Sequence, residues 1–200
     1  MIRKHTSTPR FLQLGLVSLL LVITAVAGAT VELSKKTAQK PIGATSIKNF
    51  GKVNHNYYRG SQPTKAEIEQ LKAMGIKSVI DLRKDNEPEE RSWVEAGGMK
   101  YFNIPLKSSQ AANEEQTNYF LQLVNDPQNW PVFVHCKGGR HRTGALTAVY
   151  RITHDGWTAE EAFREMKDYE FERGFFGGPS AQKKYVFSYY EQHRAHSVAQ

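Results

Sequence analysis

The sequence contains one cysteine, Cys136, among its 200 residues. A single cysteine excludes an intramolecular disulfide framework and zinc sites built from cysteine pairs. Long apolar runs are equally scarce, because the chain has one such run, near its N-terminus, and this excludes a multi-pass membrane protein. The content of 40% hydrophobic and 24% charged residues is instead typical of a globular chain, with a length that suits one domain of ordinary size.

The N-terminal segment has the layout of an export signal. Residues 1–10 carry three basic residues and no acidic one, and residues 11–29 carry no charge at all. This pattern predicts either a cleaved signal peptide or a single N-terminal membrane anchor over residues 1–29. Because the positive charge precedes the apolar run, we expect the rest of the chain to be exported to a periplasmic or other extracytoplasmic compartment.

The chain after this segment divides into a linker and one domain. Residues 30–46 are polar and contain three lysines, Pro41 and Gly43, which predicts a linker. Residues 47–200 are predicted to form the functional domain. Beyond residue 29 the positive excess is small, and no basic stripe with interleaved aromatic residues occurs, so nucleic acid is not an expected partner.

The domain alternates short apolar runs with amphipathic segments. The runs at residues 77–82 and 131–135 predict buried strands. Thr64, Asn113 and Thr158 are predicted to cap helices that follow them. Strands separated by helices predict an α/β fold with a central, mostly parallel sheet of about four to five strands flanked by helices.

Two boundaries are predicted by single residues. A strand over residues 99–104 is expected to end at Pro105, because proline cannot donate a hydrogen bond to a neighbouring strand. A helix is expected to begin at about Thr143, after the glycines of the preceding segment.

Residues 134–144 form the segment that indicates chemistry; they read Val-His-Cys-Lys-Gly-Gly-Arg-His-Arg-Thr-Gly between a predicted strand and a predicted helix. A loop that leads into a helix N-terminus directs several backbone N–H groups at one point, which makes an anion site. Gly138 and Gly139 allow the positive φ angles that such a loop needs. Arg142, six residues after Cys136, is expected to hold two oxygens of a phosphate.

The same positive field is expected to lower the pKa of the Cys136 thiol, so that a thiolate exists at neutral pH. A thiolate beside a phosphate site is a nucleophile for phosphoryl transfer. We expect Thr143 to place its hydroxyl near the sulfur and to stabilise it as a leaving group. Lys137, Arg140 and His141 are candidates for further phosphate binding, since they raise the local potential toward anions.

The segment resembles the H-C-x5-R-[ST] signature of the cysteine-dependent protein tyrosine phosphatases. Residues 58–63 (Tyr-Arg-Gly-Ser-Gln-Pro) and 80–83 (Ile-Asp-Leu-Arg) resemble the small atypical dual-specificity branch of that superfamily. The resemblance covers roughly residues 53–190. It implies a dual-specificity-phosphatase-like fold, no metal or organic cofactor, and a phosphocysteine on Cys136 that water hydrolyses. It also implies that His135 hydrogen-bonds within the loop and helps to set the cysteine pKa.

The resemblance further implies a general acid, usually an Asp on a loop upstream of the cysteine. Residues 103–113 contain neither Asp nor Glu. Glu114, Glu115, Asp81 and Asp85 are the nearest candidates, and the acid stays unassigned.

Three functions are compatible with these residues. The first is hydrolysis of phosphotyrosine or phosphoserine/threonine in proteins. The second is hydrolysis of inositol phosphates or phosphoinositides, because the basic residues of the loop resemble those of phosphatases that act on such substrates. The third is a pseudophosphatase that binds phosphate without turnover.

Overall fold

The structure is a computed structural model that describes residues 45–85, 87–171 and 180–198. The predicted signal or anchor over residues 1–29, and the linker up to residue 44, lie outside these residues. In the part of the chain that is described, no helix is both long and apolar enough to cross a membrane.

The described residues form one sheet and a set of surrounding helices. The strands are β1 (Gly51–Lys52), β2 (Tyr57–Ser61), β3 (Ser78–Arg83), β4 (Lys100–Leu106) and β5 (Val132–Cys136). The helices are α1 (Lys65–Ala73), α2 (Pro88–Ala96), α3 (Glu114–Asn125), α4 (His141–Asp155), α5 (Ala159–Asp168) and α6 (Ser180–Val198).

The sheet confirms the predicted α/β fold. Its five strands lie in the order β1-β2-β5-β3-β4, and all neighbouring pairs are parallel except β1 with β2. The short strand β1 has no counterpart in the sequence prediction. β5 lies at the centre of the sheet, between β2 and β3, as its continuous apolar run predicts. Its carboxyl end, at Cys136, therefore opens at the edge where parallel α/β sheets bind ligands.

Local capping explains where several helices begin. The three predicted N-caps are confirmed, and each forms a reciprocal capping box; the pairs are Thr64 with Glu67, Asn113 with Gln116, and Thr158 with Glu161. In such a box the side chains of both residues bond to backbone N–H groups that the helix itself leaves unpaired.

The two predicted boundaries differ from the structure. β4 continues through Pro105 to Leu106, because β4 is the edge strand of the sheet and its outer side needs no donor. α4 begins at His141, two residues before Thr143, and this places Arg142 within its first turn.

Alternation along β5 separates two hydrophobic layers. Val134 and Cys136 pack with Leu146 of α4 on one face of the sheet. Phe133 packs with Ile68 of α1 on the other face. His135, one residue from Cys136, lies on the Phe133 face because successive side chains of a strand point to opposite sides.

Candidate active site

The loop between β5 and α4 depends on a glycine in the left-handed region. Gly139 has a φ of 66°, and a Cβ atom there would lie 2.5 Å from the carbonyl carbon and oxygen of Gly60. Only glycine allows both this backbone angle and this approach of β2. The loop is therefore held in a tight turn against the end of β2.

Cys136 lines a pocket, and the residue is only 2% exposed. Burial alone would raise its pKa, because it disfavours the charged thiolate. Hydrogen bonds from the hydroxyl and the backbone N–H of Thr143, the charge of Arg142 and the N–H of Gly139 outweigh burial and lower the pKa of Cys136 below its ordinary value. The arrangement favours a thiolate, as the sequence predicts.

Thr143 and Arg142 reach the thiol from the first turn of α4. The Thr143 hydroxyl is buried and has no hydrogen-bond partner among the described residues, so it is available to the sulfur, whose pKa it lowers. Arg142 is 8% exposed, lines the pocket and donates from Nη1 to the carbonyl oxygen of Leu106 at 3.0 Å. This bond fixes one side of the guanidinium and orients its fork within the site.

The pocket has a volume of about 1190 Å³ and is lined by charges of both signs, with cations in excess. The predicted residues Lys137, Gly138, Arg140, His141 and Arg142 all line it. Two lysines that the sequence did not single out, Lys48 and Lys65, line it as well, and so do the carboxylates of Glu87 and Glu170.

His141 differs from the other basic residues of the loop. Its Nε2 lies 2.9 Å from the carbonyl oxygen of Phe171, and its ring meets the ring of Phe171 edge-on. Burial lowers the pKa of His141, the bond to Phe171 opposes this, and the charges of Arg140 and Arg142 lower the pKa further. A neutral His141 fits this bond as an N–H donor, so it ties α4 to the residues that follow α5 and contributes little to the positive field.

The expectation that His135 hydrogen-bonds within the loop is wrong. Its ring is fully buried on the opposite face of β5, where Nε2 lies 2.7 Å from Oε1 of Glu90 and Nδ1 lies 3.9 Å from Asp81. Burial lowers the pKa of His135, but the carboxylates of Glu90 and Asp81 outweigh it and raise the pKa. His135 therefore belongs to a buried charge network beneath the sheet.

That network is an ion-pair cluster and not a metal centre. Asp81, Glu90 and His135 bring ligand-type atoms within 4.8 Å of one another. The guanidinium of Arg83, however, lies 2.8 Å from Asp81 and 2.6 Å from Glu90, so a cation of the chain already pairs with both carboxylates. The raised pKa of His135 favours a second positive charge beside them. Burial would raise the pKa of Asp81, but the bond from Arg83 and the charge of His135 lower it.

None of the four acids that the sequence suggested as proton donors lines the pocket. Asp81 is engaged with Arg83 in the buried network, and Asp85, Glu114 and Glu115 are exposed elsewhere. The pocket carboxylates Glu87 and Glu170 come from segments remote from the loop in sequence, and no local motif marks either of them.

Comparison with known proteins agrees with this geometry. A sequence model of the family described as "DSP-PTPase phosphatase fused to NAD+ Kinase" matches residues 37–184. The dual specificity protein phosphatase TpbA of Pseudomonas aeruginosa is 29% identical over 129 residues, which cover 64% of this chain and 56% of TpbA. The inositol diphosphatase DSP4 of Arabidopsis thaliana is 30% identical over 124 residues, covering 60% of this chain and 62% of DSP4. The chain thus spans less than two thirds of the length of either relative.

Solved structures share the fold. The crystal structure of P. aeruginosa TpbA superimposes with a TM-score of 0.62 at 27% identity, covering 78% of this chain and 91% of that one. The core catalytic domain of the phosphatase SIW14 from S. cerevisiae superimposes with a TM-score of 0.64 at 24% identity, covering 76% and 93%. With a family match over most of its length, the chain belongs to the DSP-PTPase family, within the atypical dual-specificity branch of the cysteine-dependent protein tyrosine phosphatases.

Proposed function

We propose that the protein hydrolyses phosphate monoesters through a phosphocysteine on Cys136. One observation carries the proposal: a thiol of lowered pKa, the backbone amides of a tight loop and the guanidinium of Arg142 converge at the floor of one pocket. Binding of an anion would need the amides and the arginine, but it would not need a thiolate.

The reaction has two displacements. The Cys136 thiolate attacks phosphorus, an S–P bond forms, and the ester P–O bond breaks as the leaving oxygen takes up a proton. Water then attacks phosphorus, the S–P bond breaks and orthophosphate leaves. The Thr143 hydroxyl, which lowers the pKa of the thiol, stabilises the thiolate as it departs in the second step.

A serine substitution tests the nucleophile. Cys136→Ser is expected to abolish hydrolysis of an aryl phosphate and to retain binding of orthophosphate, because a hydroxyl is a far weaker nucleophile in the same cradle. Turnover by this variant close to that of the wild type would refute the phosphocysteine. Orthophosphate binding without turnover by the wild type would instead favour the pseudophosphatase.

Phosphoproteins are the first proposed substrate class, and the similarity of the chain to TpbA, a dual specificity protein phosphatase, supports it. Inositol phosphates are the second candidate, supported by the similarity of the chain to DSP4, an inositol diphosphatase. A specific observation favours this second candidate: Lys48 and Lys65 line the same pocket as Lys137 and Arg140. These lysines are available to phosphates other than the reacting one. The reacting phosphate would be bound by the loop amides and Arg142.

A double substitution separates the two substrate classes. Lys137→Ala with Arg140→Ala should weaken hydrolysis of an inositol polyphosphate more than that of an aryl phosphate. The difference should shrink as salt rises, because exposed charges are screened over about 8–10 Å at physiological ionic strength. Equal losses on both substrates, unchanged by salt, would leave phosphoproteins as the better candidate.

Export is a further part of the proposal and is supported by the basic and apolar pattern of residues 1–29. The test is fractionation of cells that express the full chain, with N-terminal sequencing of the product. A chain recovered from the extracytoplasmic or membrane fraction agrees with export, and a new N-terminus at residue 30 identifies a cleaved signal. A full-length chain in the cytoplasmic fraction would contradict it.

A further inference from the structure

Three consecutive carbonyl groups of the loop each accept a hydrogen bond from outside the loop. Nδ2 of Asn49 lies 2.9 Å from the oxygen of Gly138, and Nη2 of Arg59 lies 2.9 Å from the oxygen of Gly139. The backbone N–H of Gln62 donates to the oxygen of Lys137 at 3.4 Å. We name these three donors the carbonyl clamp. Asn49 precedes β1, Arg59 lies in β2, and Gln62 directly follows β2.

The direction of a carbonyl determines the direction of the next N–H. In a planar trans peptide the C=O and the following N–H point to opposite sides. Carbonyls held outward at three successive peptides therefore turn the next three N–H groups inward. The middle peptide agrees with this orientation, because its oxygen accepts from Asn49 while its N–H, that of Gly139, is among the groups that lower the pKa of Cys136.

Arg59 is an unusual residue in this position. It is fully buried, and no carboxylate of the described residues lies within salt-bridge distance of it. Its guanidinium carbon lies 3.9 Å from the centre of the Tyr169 ring, and Nε and Nη1 have no hydrogen-bond partner in the described part of the chain. A buried cation without a carboxylate is costly, so packing alone does not account for an arginine behind the loop.

Asn49 is unusual in its backbone. Its φ is 52°, in the left-handed region that residues other than glycine rarely adopt. Asparagine is among the few that tolerate this region, and here the conformation carries its amide to the oxygen of Gly138. Strained residues of this kind gather at functional sites.

We propose that Asn49 and Arg59 are positioning residues that turn the amides of the loop toward the phosphate. This inference rests on the proposed function, because the oriented amides are those that would bind the reacting phosphate. Neither residue needs to touch the substrate: Asn49 acts through the peptide between Gly138 and Gly139, and Arg59 acts through the peptide between Gly139 and Arg140.

The test compares Asn49→Gly and Arg59→Met with a buried arginine outside the site. Glycine accepts the left-handed angle of residue 49, so Asn49→Gly removes the amide without adding strain. Arg151, in the second half of α4, is the matched control, because it is a buried arginine that also lies over an aromatic ring, that of Trp157. It is 6% exposed and pairs with Asp155 of α4 and Glu165 of α5. Arg151→Met should lower Tm at least as much as Arg59→Met does.

Three quantities are measured: orthophosphate binding, the pH midpoint of Cys136 alkylation, and kcat with KM for an aryl phosphate. Asn49→Gly and Arg59→Met should each weaken orthophosphate binding about tenfold and lower kcat more than they raise KM. Asn49→Gly should also move the alkylation midpoint to higher pH. Arg151→Met should leave all three unchanged, and Arg59→Lys, which keeps one donor, should recover part of the loss.

The inference is overturned if both variants bind orthophosphate within about twofold of the wild type, with an unchanged alkylation midpoint. Should Arg59→Met fail to fold, the result for Asn49→Gly decides alone, because Asn49 lines the pocket and is only half-buried. Orthophosphate binding and alkylation do not require turnover. If the wild type hydrolyses no ester but binds orthophosphate, and Asn49→Gly and Arg59→Met weaken that binding, the proposed function is refuted and this inference stands.

Discussion

Nε2 of His135 lies 2.7 Å from Oε1 of Glu90, on the opposite face of the sheet from the thiol of the next residue. Both side chains are fully buried, and Arg83 bonds to the same glutamate at 2.6 Å. The pair joins the end of β5 to α2. It lies where β5 leads into the loop between β5 and α4, which we call the phosphate loop. Buried charge contacts on the opposite face of the sheet therefore hold the end of the strand that carries Cys136.

Glu90→Gln is expected to lower the free energy of unfolding by about 3 kcal/mol, because it leaves Arg83 and His135 buried without this carboxylate. Urea unfolding followed by circular dichroism measures the change. Asp81 still pairs with Arg83 in the variant, so the fold should form.

The exposed pair of Arg91 with Glu95, 3.4 Å apart on α2, supplies the control for this variant. Glu95→Gln is expected to change the free energy of unfolding by no more than about 0.5 kcal/mol, because solvent screens exposed pairs. Equal effects of the two substitutions would mean that the buried network adds nothing beyond a surface pair.

Thr143→Val is expected to shift the pH midpoint of Cys136 alkylation upward. The Thr143 hydroxyl is one of the donors that lower the cysteine pKa, and valine keeps the shape but cannot donate. With this donor lost, the thiolate forms only at higher pH, so the alkylation rate at neutral pH should fall. Hydrolysis of the phosphocysteine should slow as well, because the departing thiolate loses its partner.

Thr147, one turn further along α4, provides the comparison. It is equally buried, its hydroxyl pairs with that of Tyr57 at 2.8 Å, and it is not among the donors that lower the cysteine pKa. Thr147→Val should reduce stability and leave the alkylation midpoint unchanged. A midpoint that moves equally in both variants would show that general destabilisation, and not the Thr143 hydroxyl, changes the thiol.

The parts of the site that are continuous in sequence could be predicted from it. The apolar run of residues 131–135, Gly139 and Arg142 lie within one short segment, and each implies its own local geometry. Gly138, which the sequence predicts to share the positive φ of Gly139, does not have one. Strand alternation also contains the information that separates His135 from Cys136, because neighbouring side chains of a strand face opposite ways. The family resemblance led instead to the expectation of a loop contact for His135.

The rest of the pocket could not be predicted, because it is assembled from distant segments. Lys48, Lys65, Glu87 and Glu170 come from four separate parts of the chain that meet only through the packing of the sheet and helices. No short motif marks them. Pro105 shows the same limit, since a proline ends a central strand but is tolerated at an edge, and only the strand order reveals which case applies.

Gly139→Ala is expected to abolish activity and to destabilise the fold. A methyl group there would meet the backbone of Gly60 at 2.5 Å, and alanine disfavours the φ of 66°. Gly98 is the control, because its φ is 78° and nothing lies within 4 Å of an added Cβ. Gly98→Ala should cost about 1 kcal/mol and leave kcat unchanged. Activity of Gly139→Ala near that of the wild type would show that the loop does not need its observed turn.

The leaving oxygen requires a proton, and two carboxylates of the pocket could donate it. Of the two carboxylates that line the pocket, Glu170 lies beside the phosphate loop, because Nδ2 of Asn49 contacts both its Oε2, at 3.5 Å, and the oxygen of Gly138, at 2.9 Å. Glu87 instead accepts a bond from Nε2 of Gln62 at 3.1 Å. Glu170 also has a φ of 63°, a backbone angle that glutamate seldom adopts. We expect Glu170 to protonate the leaving group.

Leaving-group dependence tests this assignment. Glu170→Gln should lower kcat about a hundredfold for an alkyl phosphate, whose alkoxide cannot leave without a proton. It should change kcat little for para-nitrophenyl phosphate, whose phenolate leaves unaided. Glu87→Gln, the matched control in the same pocket, should lower neither rate by more than about threefold, since it removes charge without removing the acid. A selective loss with Glu87→Gln and none with Glu170→Gln would reverse the assignment, and the absence of leaving-group selectivity in both variants would place the proton donor outside these two carboxylates.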